Sequence, residues 1–441
     1  MAQGRAIGRF EAALGVVGVL TLATSYILIT GQNPGPAVLD WLDRLGALSS
    51  PAPAWETRLG GRPDYAISAN GVVVLIGRGA VDVRDSRTGD PVWARDVPWA
   101  AVAGTESGRV VVTGRLNQKG FEVVDPATGA LRWADEQATG VWTYRNVVLA
   151  MTCPGLSDCT LAAHEPTRGD VRWRTPVPGV GKVLGGVNHE LLGSQPLSSS
   201  NVDSRVASPI ESPVMLGFPL DGKVQVMDVE SGRRLREAQA GGTTRVVVVA
   251  GRVLYSTAER REGHCRYTLE ARDADNGTAV WRAEGYDLGT ASGAGCEQRH
   301  DPAGGGNTLA AIRGDNREVL LDAYDGRELW VGKPGEHVLA TDGLIALVRS
   351  GDGKTIFAQD LAGGVDLWQR EAGPEAEAML TRFAALIVDG QSGRVVAVEP
   401  GTGRLMIDAR TTSQVIGAGA DGLMIAGGRT VGLLTYGSIA G

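Results

Sequence analysis

The stretch that decides the fold is Val123–Trp133, "VVDPATGALRW", with Asp125, Gly129 and Trp133 four residues apart. Forty residues earlier stands "VRDSRTGDPVW", with Asp85, Gly89 and Trp93. Forty residues later stands "AHEPTRGDVRW", with Glu165, Gly169 and Trp173. The same spacing recurs with Asp228 and Gly232, with Asp273, Gly277 and Trp281, and with Asp322, Gly326 and Trp330. It returns with Asp360, Gly364 and Trp368, and a last time with Glu399 and Gly403. Arg236 and Ile407 replace Trp in two of these modules. Gly-to-Gly spacings run 40, 40, 63, 45, 49, 38 and 39 residues, the size of a propeller blade.

Each position has a physical task. Alternating residues before the acid ("AVDVRD", "FEVVD", "KVQVMD") read as a strand. The acid accepts hydrogen bonds from turn amides, and the glycine supplies the positive φ of a type I turn followed by a bulge. The tryptophan, on the second strand, covers the seam to the next blade. Two further strands precede each hairpin, such as "DYAISAN" and "VVVLIG", so the module has four antiparallel strands.

The ends are complementary. "PAWETRLG", with Trp55, reads as a last strand, and "SQVIGAG", "GLMIAGG" and "TVGLLTYG" read as the first three. The expectation is an all-β chain: a single propeller over residues 53–437, closed by a blade shared between the ends. Strict counting gives nine blades. Eight is the commoner ring and the expected number, with the fourth module (63-residue gap, Arg236) as the degenerate one.

The repeats "VDPATGALRW", "ARDADNGTAVW" and "AYDGRELW" resemble those of pyrroloquinoline-quinone (PQQ)-type propellers, A-x-D-x-x-T-G-x-x-x-W. The resemblance implies one of two functions: a quinoprotein dehydrogenase, or a non-catalytic propeller like the lipoprotein of the outer-membrane barrel-assembly machinery. The chain is closer to the second. A dehydrogenase of this type places PQQ on a Trp, often under a disulfide of adjacent cysteines, with calcium and a catalytic Asp. This chain has no adjacent cysteines, and only Trp99 and Trp142 lie outside the repeat position as platform candidates, with blade packing as their simpler role. No catalytic, cofactor-binding or metal residue is assigned; PQQ with calcium stays as the alternative.

Four cysteines fit two disulfides in an exported protein, Cys153 with Cys159 across a hairpin and Cys265 with Cys296 between loops. His264 and His300 beside the second pair raise zinc as an alternative, at a spacing of no standard finger. His164, His189 and His337 are scattered packing or surface residues.

The N-terminus carries the localisation signal. Residues 12–30 are uncharged and, as a helix, span roughly 28 Å, about the thickness of a bilayer core. Arg5 and Arg9 place residues 1–11 in the cytoplasm. No convincing A-x-A cleavage site and no lipid-bearing Cys follow, so the segment reads as an uncleaved signal anchor holding an extracytoplasmic propeller at the cell membrane, with a cleaved signal peptide as the alternative. Residues 31–52 read as a linker, in which Val38, Leu39, Leu42, Leu45 and Leu48 at helical spacing suit either a short amphipathic helix on the membrane surface or a plain linker helix. Gly15 and Gly18 do not have the spacing of a helix-dimerising motif.

A net charge of −7, from 43 basic and 50 acidic residues, argues against a nucleic-acid partner. The expected partners are the membrane, through the N-terminal helix, and other envelope proteins. Two long polar stretches, 193–213 and 290–307, read as loops on the propeller rim.

Overall fold

The computed structural model describes residues 48–439, apart from 116–118, 156–157, 178–196, 199–208, 210, 221–222, 240, 292, 294 and 297–306. The expected anchor and amphipathic helix lie outside these residues. The chain divides into units Met1–Leu48 and Ser49–Gly441, and the second holds every described strand.

Among the described residues, nine antiparallel sheets form in sequence order. Of the two blade counts open in the sequence, the strict one holds. Blades one to three span 63–96, 100–135 and 140–176, and blades five to eight span 244–284, 286–331, 337–371 and 377–410. The fourth module, suspected of degeneracy, forms its own sheet at 215–239, with three strands among the described residues. Blade nine takes Gln414–Ala418, Gly422–Gly427 and Thr430–Thr435 from the C-terminal end and Glu56–Arg58 from the N-terminal end. Thr57 pairs with Val431, and the Ala54 amide donates to the Leu433 carbonyl at 2.8 Å. The ring thus closes on its own first strand.

In the four-stranded blades the fourth strand lies outermost, and its burial alternates between exposed and half-buried, as in Pro91–Asp96 and Val171–Pro176. First strands lie innermost and touch those of neighbouring blades, as 63–69 touches 414–418. Between blades the core is aliphatic. One cluster joins Ile67, Val74 and Val83 of blade one to Val102, Val111 and Val124 of blade two. Another joins Met424 and Leu433 of blade nine to Ala66 and Leu75 of blade one. Both chain ends also strap the outer strand of blade eight: Ser50 exchanges backbone hydrogen bonds with Arg410, and the Asp408 amide donates to the Ser438 carbonyl.

The repeat residues build one turn eight times. The glycine amide donates to the acid's carbonyl at 2.8–3.0 Å in every module. All eight glycines are left-handed, from Gly364 at φ 65° and Gly403 at 68°, through Gly232 at 70°, to Gly326 at 79°. Oδ1 of Asp125 accepts from the Ala127 and Thr128 amides at 2.9 and 3.0 Å, and Asp85 makes the equivalent pair with Arg87 and Thr88. Asp228, Asp273, Asp322 and Asp360 cap their turns likewise, and Glu165 accepts from the Arg168 amide. Glu399 instead accepts from the Thr402 hydroxyl.

The tryptophan does more than cover a seam. Its indole N–H donates to the carbonyl of the residue after the next blade's acid: Trp93 to Pro126, Trp133 to Pro166, Trp173 to Val229, Trp281 to Ala323 and Trp368 to Pro400, at 2.7–3.2 Å. Trp55 does the same to Ser86 at 2.9 Å, bonding blade nine to blade one. The ring face lies on the next blade's glycine so closely that a methyl on Gly169 would sit 2.6 Å from Trp133. Gly89 lies under Trp55 in the same way, Gly129 under Trp93, Gly232 under Trp173, Gly326 under Trp281 and Gly403 under Trp368. The glycine is therefore needed twice, for its φ and for the indole. Two modules depart from this rule, which the repeat spacing alone would extend to all. Arg236 replaces the indole over Gly277, donating to the Asn276 carbonyl at 2.6 Å. Trp330 is buried in the core between blades six and seven, and nothing lies within 4 Å of the position a methyl on Gly364 would take.

Candidate functional site at the channel mouth

In each blade, the loop between the first two strands lies on the same face as the acid–glycine turn, because both reverse the chain at the same end of a four-stranded meander. These inner loops surround one mouth of the central channel. Residues 104–109 supply Glu106 and Arg109 from blade two, Arg145 comes from blade three, Leu344 from blade seven, and Arg382 and Phe383 from blade eight.

Glu106 links non-neighbouring blades. Its Oε1 lies 2.9 Å from Nη1 of Arg382 and 3.9 Å from Nη2 of Arg109. Blades nine and one intervene between eight and two, so this pair reaches across the mouth. The Arg109 side chain is 4% exposed and donates to the Ser68 carbonyl of blade one. Burial lowers the Arg109 pKa; Glu106 opposes that, and the positive charges of Arg382 and Arg145 add to it. Arg145 pairs with Glu211 at 3.2 Å, at the end of the fourth module's insertion. Beside it, Asn146 exchanges two 2.9 Å hydrogen bonds with Ser212. Nε of Arg145 is buried and has no acceptor among the described residues. Next to Arg145, burial pushes the Tyr144 hydroxyl up to about 12.

Two residues of the insertion lie on an inner strand. Leu197 and Ser198 pair with Thr341 and Ala340 on the innermost strand of blade seven. Leu197 and Ser198, expected on the rim, therefore lie on an inner strand edge, whose unpaired backbone donors and acceptors they satisfy.

On the opposite face, a cleft of about 890 Å³ between blades seven and eight is lined by Lys354, Glu371, Ile387, Asp389, Arg394 and Arg410, among others. Two of its charges have structural partners. Arg394 forks onto Asp408 at 2.8 and 2.7 Å, and Asp389 caps its own turn through Ser392 and Gln391.

Cys153–Cys159 and Cys265–Cys296 are disulfide-bonded, so the thiolates that zinc would need beside His264 do not exist; His300 lies outside the described residues. His189 lies outside them too. His164 is buried, with Nδ1 3.0 Å from the Gly169 carbonyl and its ring stacked 5.1 Å from Trp133. His337 places Nδ1 3.3 Å from Glu318.

Among the described residues, the indoles that a quinone would stack on are engaged elsewhere. Six indoles, Trp55 among them, are fixed at seams, and Trp142 is buried in the core between blades three and four. Trp99, 37% exposed, packs on Gly114 at a blade junction. Among the described residues no three His, Cys, Asp or Glu side chains group as a cation site.

The mouth was not anticipated from sequence. Its one signal is an arginine in the inner loop of three modules: "ESGRV", "TYRNV" and "LTRFA".

A family model described as outer membrane protein assembly factor BamB matches residues 266–423, just over a third of the chain. No curated protein matches the sequence. Similar solved structures include BamB from Moraxella catarrhalis, with 15% identity over 76% of this chain and 95% of that one, at a TM-score of 0.36. The quinohemoprotein alcohol dehydrogenase from Comamonas testosteroni shows 14% identity over 88% and 76%, at 0.40. A eukaryotic initiation factor shows 12% over 81% and 89%, at 0.46. The acid–glycine–tryptophan turns and the seams they build make this chain a β-propeller, and its repeats are similar over residues 266–423 to those of the BamB-described family.

Proposed function

We propose that the chain is a non-catalytic scaffold of the cell envelope, held at the membrane by residues 12–30, whose propeller binds other envelope proteins outside the cytoplasm. The observation that carries this reading is the use of the repeat itself. Its acids cap turns and six indoles bond blades together, so the signature residues serve to build a ring. Three further points support it: an uncharged N-terminal stretch of bilayer length, two disulfides suited to an oxidising compartment, and the BamB-described match over residues 266–423. A ring of this kind offers partners two surfaces, the inner loops of the mouth and the open edges of its outer strands.

The test is site-specific photo-crosslinking in the native envelope. One probe goes at Leu344, 70% exposed at the mouth, and one at Val280, 45% exposed on an outer strand. A discrete protein adduct from either position is the expected result. Absence of any adduct from both would overturn the scaffold reading.

A further inference from the structure

We infer that the channel mouth is a docking port for an acidic peptide segment of a partner, whose carboxylates engage Arg145 and Arg382 beside the buried Arg109. The choice of a peptide rests on the proposed scaffold role; the port itself rests on geometry.

Three guanidiniums from blades two, three and eight converge on one mouth. Among the described residues, Glu106 pairs with Arg109 and Arg382, and Glu211 pairs with Arg145. Like charges gathered on a partly buried surface repel unless a counter-charge joins them, and a cleft with low-dielectric walls focuses their field. Nε of Arg145 is a second, independent sign. A buried guanidinium N–H with no acceptor among the described residues is costly, and a forked carboxylate is its natural complement.

The internal contacts show what the port accepts. Glu211 places a carboxylate oxygen 3.2 Å from Arg145 while remaining 58% exposed, so it occupies the position without being locked there. Exposed pairs of this kind contribute little net stability and exchange readily. Phe383, with the Arg382 guanidinium 5.0 Å above its ring, and the exposed Leu344 add apolar surface beside the charges. That mixture suits a peptide carrying acidic and apolar side chains better than a small inorganic anion.

The test is fluorescence anisotropy with the full chain and two labelled probes, hexaglutamate and hexaglutamine. Hexaglutamate should bind and weaken steeply as salt is raised, and hexaglutamine should not bind. Arg145→Ala and Arg382→Ala should each weaken hexaglutamate about tenfold with no change in melting temperature. Glu211→Gln should tighten it, because the internal competitor is gone; a purely structural role for Glu211 would not produce that gain. The inference is overturned if hexaglutamate fails to bind at low salt, or if both arginine substitutions leave its affinity unchanged. Either result would leave scaffolding through the outer strand edges intact. Tight quinone binding, by contrast, would overturn the scaffold reading and leave the peptide titration standing.

Discussion

Substituting alanine at two equivalent glycines separates the two demands that the repeat makes. Gly169 and Gly364 hold φ of 77° and 65° in the same turn. Alanine in this left-handed region costs roughly 1–2 kcal/mol at either site. Only Gly169 lies under an indole: the new methyl would sit 2.6 Å from Cγ and Cδ2 of Trp133, against open space at Gly364. Ordinary contact lies about 1 Å further out, so the ring must move by about that much. Such a shift breaks the 2.9 Å bond from Trp133 to the Pro166 carbonyl and disturbs its stack on His164. Overpacking of this kind costs about 1–3 kcal/mol. Gly169→Ala should therefore destabilise by about 2–5 kcal/mol and Gly364→Ala by about 1–2. Equilibrium unfolding in guanidinium, followed by tryptophan fluorescence, measures both. In a Trp133→Ala background the excess at Gly169 should vanish. Equal losses at the two glycines, or an excess that survives removal of the indole, would refute the stacking argument.

Elsewhere in the ring, replacing Cys265 and Cys296 by serine opens a bridge across 31 residues and should cost about 4 kcal/mol, against about 2 kcal/mol for Cys153 and Cys159 across 6, read as shifts in the unfolding midpoint. Arg236→Trp should raise the melting temperature, by restoring over Gly277 the indole seam that the neighbouring modules have. Acid should unfold the protein. The Arg87 and Thr88 amides lower the pKa of Asp85, the Ser392 hydroxyl lowers that of Asp389, and Arg394 lowers that of Asp408. The unfolded chain binds protons more tightly at these groups, so their stabilisation is present above about pH 4 and is lost as pH falls through the folded values. Burial raises the Glu318 pKa, which acts in the opposite sense, with stability falling as pH rises through its titration. Three lowered carboxyls outweigh one raised, so the melting temperature should drop as pH falls below about 4.

The ring was legible because its rule is local. Asp125, Gly129 and Trp133 lie within nine residues, and each answers a requirement of one turn or one seam. Closure was legible for the same reason: "PAWETRLG" carries a seam tryptophan with no preceding strands of its own. Blade number was harder to read, because Arg236 hides the fourth seam and the long gap hides its module. Trp330 shows the limit of a motif. It keeps the spacing but turns into the core, beside Leu361 rather than over Gly364. The mouth was illegible because Glu106 and Arg382 meet only when the ring places blades two and eight across a common channel. The pairing of Leu197 and Ser198 depends likewise on the free edge of a blade more than a hundred residues away.

Whether the ring is non-catalytic is decided by calorimetric titration of the chain with pyrroloquinoline quinone in the presence of calcium. No saturable heat is expected from a chain shown to be folded by its thermal transition, because the indoles are held at the seams and no carboxylate cluster exists among the described residues. Stoichiometric binding at about micromolar affinity or tighter would contradict that expectation and place a cofactor, and with it a redox reaction, inside the ring.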